Sequence, residues 1–113
     1  MRTVLVSFLA LSVLALAACS STRPLSLSSA RGYCNTENIS DGKDDGGSCK
    51  DQIAICGQFF DPLAAGMKDQ AECLAHCRAT YDGMFHTYML DPCREAATMA
   101  RNYCEQYCRG NYQ

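Results

Sequence analysis

Apolar and polar positions recur with a helical period in three stretches of this chain. The clearest begins at Asp91-Pro92. Cys93, Ala96, Ala97, Ala100, Cys104, Tyr107 and Cys108 follow at steps of three and four, with Arg94, Glu95, Thr98, Arg101, Asn102, Glu105, Gln106 and Arg109 on the opposite face. This spacing predicts an amphipathic helix of about 18 residues. Asp91 can cap it, Pro92 suits its first position and Gly110 can end it. A second helix is expected after Asp69-Gln70-Ala71-Glu72, which has capping-box spacing, with Cys73, Cys77, Tyr81, Met84 and Tyr88 as its apolar stripe. Gly83 costs about 1 kcal/mol inside a helix, so a kink or an end is expected near Asp82. A shorter helix is expected from Lys50 to Phe59, with Ile53, Cys56 and Phe60 on one side, and Asp61-Pro62 restarting the chain. Asn35 to Ser48 reads as loop, and no strand pattern stands out. The fold expected is all-α: a small, disulfide-rich, antiparallel helical hairpin with an additional short N-terminal helix.

The N-terminus carries a different pattern. Met1-Arg2 is basic, and Val4 to Leu16 is apolar apart from Ser7 and Ser12. This is the form of a signal-peptide h-region, too short and wrongly flanked for a membrane span. Ala15-Leu16-Ala17 fits the small-x-small rule of ordinary signal peptidase. Leu16-Ala17-Ala18-Cys19 resembles the lipobox of bacterial lipoproteins, a resemblance that covers these four residues and the apolar run before them. It implies diacylglyceryl transfer to the Cys19 sulfur, cleavage before Cys19 and acylation of the new amino terminus. By the same resemblance Ser20, a non-Asp residue, implies delivery to the outer membrane of a Gram-negative envelope. The alternative is ordinary secretion with Cys19 free or removed. In a eukaryote Asn38-Ile39-Ser40 would then read as a glycosylation sequon.

Cysteine parity favours the lipidated form. The 113 residues include nine cysteines, and a leftover thiol in a secreted protein needs a reason. A thioether at Cys19 supplies one and leaves Cys34, Cys49, Cys56, Cys73, Cys77, Cys93, Cys104 and Cys108 to pair. Two or more acyl chains anchor stably where one does not, so the membrane is an expected partner through Cys19. Three segments follow: a signal peptide over residues 1–18, a lipid site with a serine-rich tether over 19–32, and a disulfide-stapled helical domain over 33–113. The thirteen residues from Ser20 to Gly32 would reach about 43 Å when extended. A folded part of roughly 80 residues needs staples, and so many cysteines point to an oxidising compartment.

The cysteines at helical spacing predict their own partners. Cys73-Leu74-Ala75-His76-Cys77 and Cys104-Glu105-Gln106-Tyr107-Cys108 are both Cys-x3-Cys. Residues four apart on a helix have Cβ atoms about 6 Å apart, whereas a disulfide needs about 3.8 Å. Each pair should therefore bond across to the other helix. One antiparallel register sets Cys73 opposite Cys108 and Cys77 opposite Cys104, with its midpoint between Leu90 and Asp91, where the turn is expected. It also sets Tyr81 opposite Ala100 and Tyr88 opposite Cys93. Cys34, Cys49, Cys56 and Cys93 allow three pairings, of which Cys34–Cys49 with Cys56–Cys93 is preferred. Twin Cys-x3-Cys motifs on a hairpin resemble plant α-hairpinins and the small chaperones of the mitochondrial intermembrane space. The resemblance covers the two motifs alone, and the stretch between Cys77 and Cys104 is longer than in either family. It implies a shared architecture and no function.

Other chemistry is thinly represented. The formal charge is −2, and loss of Arg2 with the signal segment makes it more negative. No basic patch favours nucleic acid. His76 and His86 lie near the first Cys-x3-Cys, but neither a Cys-x-x-Cys pair nor a haem motif is present, and no metal ligand is assigned. Asp41-Gly42-Lys43-Asp44-Asp45-Gly46-Gly47-Ser48-Cys49 resembles the Asp-x-Asp-x-Asp-Gly-x-x-Cys pattern of the excalibur calcium module. Lys43 stands where that pattern has Asp, and Gln52 replaces the closing Glu of an EF-hand. The segment therefore reads as an acidic, glycine-rich turn, with Asp41 and Asp45 as weak calcium candidates. Tyr81, Tyr88, Tyr103, Tyr107, Tyr112 and Phe85 read as core or as a partner surface. No catalytic constellation and no cofactor is assigned. The function expected is a non-enzymatic cell-envelope protein, structural or binding a protein partner, with a secreted cysteine-rich effector or inhibitor as the alternative.

Overall fold

The computed structural model describes residues 23–36, 49–90 and 92–112. The signal segment, Cys19, the Asn38 sequon, the Asp41–Ser48 turn and Asp91 lie outside the described residues. Among the described residues the protein is all-α, with four helices and no strand: α1 (Leu27–Thr36), α2 (Gln52–Ala64), α3 (Gln70–Tyr88) and α4 (Cys93–Asn111).

The helices run alternately up and down. α4 touches the other three, because its buried stripe is built of small side chains: Ala96, Ala97 and Ala100 among Cys93, Cys104 and Cys108. Short side chains let neighbouring backbones approach closely, and the cysteines turn that approach into bonds. The hairpin of α3 and α4 is the most extensive contact, α2 and α3 touch only sparsely, and α1 and α3 do not meet. Phe59, Phe60, Ile55 and Leu63 of α2 supply the large apolar side chains of the core.

The segment 27–32 corrects the expectation of a tether ending at Gly32. It is the first half of α1. Leu27, Ala30 and Cys34 recur at helical steps; Ala30 and Cys34 are buried and Leu27 packs against the core. The serines act as a helix start, with the Ser29 amide donating to Ser26 Oγ at 3.1 Å and the Ala30 amide to the Ser26 carbonyl at 2.9 Å. Serine-rich composition, averaged over thirteen residues, conceals that cap and that period. The folded body thus starts before Tyr33, and two helices precede the hairpin.

Helix α2 runs further than Phe59 and turns a different face inward. Its buried positions are Gln52, Ile55, Cys56, Gly57, Phe59, Phe60 and Leu63, whereas Ile53 is 75% exposed. Pro62 lies inside the last turn, where its missing N–H removes one intrahelical hydrogen bond and the helix runs on without restarting. Gly66, at φ +87°, ends it, a left-handed position that glycine occupies without penalty.

Helix α3 starts at the Asp69 cap that the capping-box spacing predicts, although the reciprocal bond from Glu72 goes to the residue before the cap. The Glu72 amide donates to Asp69 Oδ1 at 2.8 Å, and Glu72 Oε2 reaches back to the Lys68 amide at 2.5 Å. The helix continues unbroken past Gly83 to Tyr88. A cost of about 1 kcal/mol is outweighed by burial of Met84 one residue on and by the staples below it. A Cβ on Gly83 would meet nothing within 4 Å. Gly83→Ala is therefore expected to raise stability by about 0.8–1 kcal/mol, read as a higher urea midpoint under non-reducing conditions.

Helix α4 opens after Pro92, whose φ of −52° and ψ of −24° are helical. It does not stop at Gly110 but at Tyr112, which is extended. Gly110 serves another purpose: a Cβ there would sit 3.3 Å from Pro24 Cα and 3.4 Å from Pro24 Cβ, so its bare backbone lets the entering chain pass.

Candidate functional site

The four disulfides are Cys34–Cys56, Cys49–Cys93, Cys73–Cys108 and Cys77–Cys104. The two hairpin bonds are those of the single register, with Cα–Cα separations of 5.6 and 5.8 Å. The same register brings Tyr81 to α4. Its hydroxyl lies 3.4 Å from Thr98 Oγ1, and the Arg101 guanidinium stacks on its ring at 4.4 Å from the centroid.

The other two bonds correct the preferred pairing of Cys34 with Cys49 and Cys56 with Cys93. Cys34 belongs to a helix packed against α2, so Cys56, one turn into α2, is its neighbour. Gln52 strengthens the junction, its buried Nε2 donating to the Cys34 carbonyl at 2.7 Å. Cys49 precedes α2 at the turn end of the hairpin and meets Cys93 at the start of α4. Tyr88 Oη closes the same end by donating to Asp51 Oδ2 at 3.4 Å.

Cys77, Cys104 and Cys108 place their sulfurs within 4.8 Å of one another, and Cys77 Sγ lies 3.6 Å from Cys108 Sγ. All three sulfurs are in disulfides, and it is the thiolate that ligates a metal. His76 does not join them. Its Nε2–H donates to the Phe59 carbonyl at 2.9 Å, with Thr80 Oγ1 3.5 Å from Nδ1, so it clips α3 to α2. His86 is exposed near the far end of α3.

α2 and α3 touch only sparsely, and a groove of about 990 Å³ lies between them. Ile53, Ala54 and Gly57 line one wall and Ala79, Gly83 and Met84 the other, with the Arg31–Asp61 ion pair at its edge. Sequence periodicity missed this wall because it treated Ile53 as core. The exposed large apolar residues include Ile53, Phe85, Met89 and Leu90, the last 95% exposed. On α4, Glu105 gathers Arg109 at 2.7 Å and Arg78 and Arg101 at 4.0 Å.

The end opposite the hairpin turn holds the two chain termini of the described body. Tyr112 is its hub: the Met67 amide donates to its hydroxyl at 3.0 Å and Gln70 Nε2 to its carbonyl at 2.7 Å. Burial, then the charge and hydrogen bond of Tyr112, raise the Tyr107 phenol above its ordinary pKa. Asn111 Nδ2 donates to the Leu25 carbonyl at 2.8 Å, tying the entering chain to α4.

The fold and these sites define a small, all-α, disulfide-stapled domain. Compared with protein-family models, curated proteins and solved structures, the chain matches none. Among the described residues no helix is long and apolar enough to cross a membrane.

Proposed function

We infer that this protein is a lipid-anchored component of a bacterial cell envelope, outer membrane included, that works as a structural or protein-interaction module and not as an enzyme. One observation carries the reading. Eight of the nine cysteines are taken up in four disulfides, and the one outside them is Cys19, which closes Leu16-Ala17-Ala18-Cys19. A thiol with no pairing partner in its own chain, at the lipobox position, is accounted for by a thioether. The staples suit an oxidising compartment, as does a segment of signal-peptide form. His76 and Gln52 have roles in the fold, each clipping one helix to the next.

Mass spectrometry of the native N-terminus tests this. The expected result is acyl mass on Cys19 and, for Cys19→Ser, transfer of the protein from the membrane to the soluble fraction. A plain terminus at Ala18 or beyond would assign the chain to the secreted, unanchored class. A pull-down with the membrane-extracted chain is expected to retain an envelope protein; no stable partner together with no envelope phenotype on deletion counts against the interaction role.

A further inference from the structure

We propose that the N-terminal strap holds one defined end of the domain against the phospholipid head groups, so that the hairpin turn points away from the membrane. The proposal rests on lipidation at Cys19 and adds to it an orientation.

The strap is Pro24 to Ser26, and it is built into the body. Pro24 crosses Gly110 closely: a Cβ there would sit 3.3 Å from Pro24 Cα, tighter than ordinary van der Waals contact. Leu25 packs against the core, and its carbonyl is held by Asn111. Leu27, which opens α1, also packs inward. The chain is thus fixed to the C-terminal end of α4 from Pro24 onward. That end also carries Met67, Gln70 and Tyr112, so the start of α3, the end of α4 and the entry of the chain form one face. Met89, Leu90 and the Cys49–Cys93 bond lie at the opposite end.

Four residues, Ser20 to Arg23, separate Cys19 from this fixed point. Fully extended they span at most about 14 Å, a third of the reach that a tether running to Gly32 would have. Helix α3 alone, with 19 residues, is about 28 Å long at 1.5 Å per residue. The face bearing Arg23 and Lys68, both exposed, therefore meets the phosphates, and the turn with Leu90 stands a helix length further out. Two exposed cations are too few to hold a domain there unaided; the short connection does it. Any protein partner then meets the turn end or the helix flanks, not the strap end.

Neutron reflectometry of the complete lipidated protein in a supported phosphatidylethanolamine–phosphatidylglycerol bilayer measures this directly. The expected profile has protein beginning at the head groups, without an intervening water layer, and extending about 35 Å, one 19-residue helix plus its end side chains. A variant with ten Gly/Ser residues inserted between Ser21 and Thr22 is expected to open a hydrated layer of about 20 Å, since fourteen flexible residues span roughly 5–6 Å times the square root of their number. A hydrated gap in the parent, a protein layer only about 20–25 Å thick as for helices lying flat, or an insertion variant with an unchanged profile would each overturn the orientation while leaving the anchor intact. Absence of any protein layer after washing would overturn the anchor itself, and the orientation with it.

Discussion

Reduction of all four disulfides is expected to unfold this protein at neutral pH and room temperature. Among the described residues, the large, fully buried side chains apart from cysteines are Phe59, Phe60 and Ile55, with Leu63 at 2% exposure. The rest of the core is mainly alanine, cysteine and Met84, which bury little apolar area per residue. Each disulfide contributes about 2–4 kcal/mol by constraining the unfolded chain, so four contribute about 8–16 kcal/mol. That equals or exceeds the ~5–15 kcal/mol by which ordinary domains are stable. Far-UV circular dichroism before and after reduction and alkylation, with mass confirming the modification of all eight thiols, checks this. Loss of most of the helical signal and of the cooperative melt is expected; a fully alkylated chain that kept both would show that the core suffices alone.

The bonds are not equivalent, and their order is part of the same prediction. With Cys73–Cys108 in place, Cys77–Cys104 closes a ring of only about ten residues, whereas Cys49–Cys93 closes a much longer path through α2 and the hairpin. Loop entropy rises with ring size. Replacing both cysteines of a pair by serine is expected to cost about 4 kcal/mol at Cys49–Cys93 and about 3 kcal/mol at Cys77–Cys104, read from urea midpoints of the otherwise oxidised variants.

The hairpin was legible in the sequence because two constraints coincided. Cys-x3-Cys is a spacing that helix geometry forbids from closing on itself, and one antiparallel register satisfies both motifs. Nothing comparable constrained Cys34, Cys49, Cys56 and Cys93. Their pairing depends on α1, and α1 was hidden under a serine-rich composition. With residues 27–32 read as tether and Asn35 to Ser48 as loop, no helix face places Cys34 against Cys56. Once Leu27, Ala30 and Cys34 share a helix face packed on α2, Cys56 is the cysteine within reach. The inward face of α2 was misread for a similar reason. Ile53 and Ile55 are equally apolar, and only the position of α4 decides which points inward. Gly110 shows the same limit: its sequence position suits a helix stop, but its role is set by Pro24, 86 residues away.

Phe59→Ala is expected to cost about 3–5 kcal/mol, the range for emptying a buried aromatic site. Phe59 is fully buried on the helix that packs against all three others, and its carbonyl takes the His76 clip from α3. The surroundings have little capacity to collapse into the space. Cys34–Cys56 fixes α1 to α2, the two hairpin bonds fix α3 to α4, and Cys49–Cys93 fixes the turn end. A chain cross-linked in this way cannot slide its helices together, so the cavity term is retained in full. The measurement is the thermal midpoint of the oxidised variant against the parent. At about 4–8 °C per kcal/mol for a domain of this size, a loss of at least about 12 °C is expected. Phe85→Ala provides the contrast. Phe85 is 37% exposed near the turn end of α3, so its loss is expected to cost about 1 kcal/mol or less. Equal shifts for the two variants would mean that α2 is not the apolar centre of the fold and that the disulfides alone hold it together.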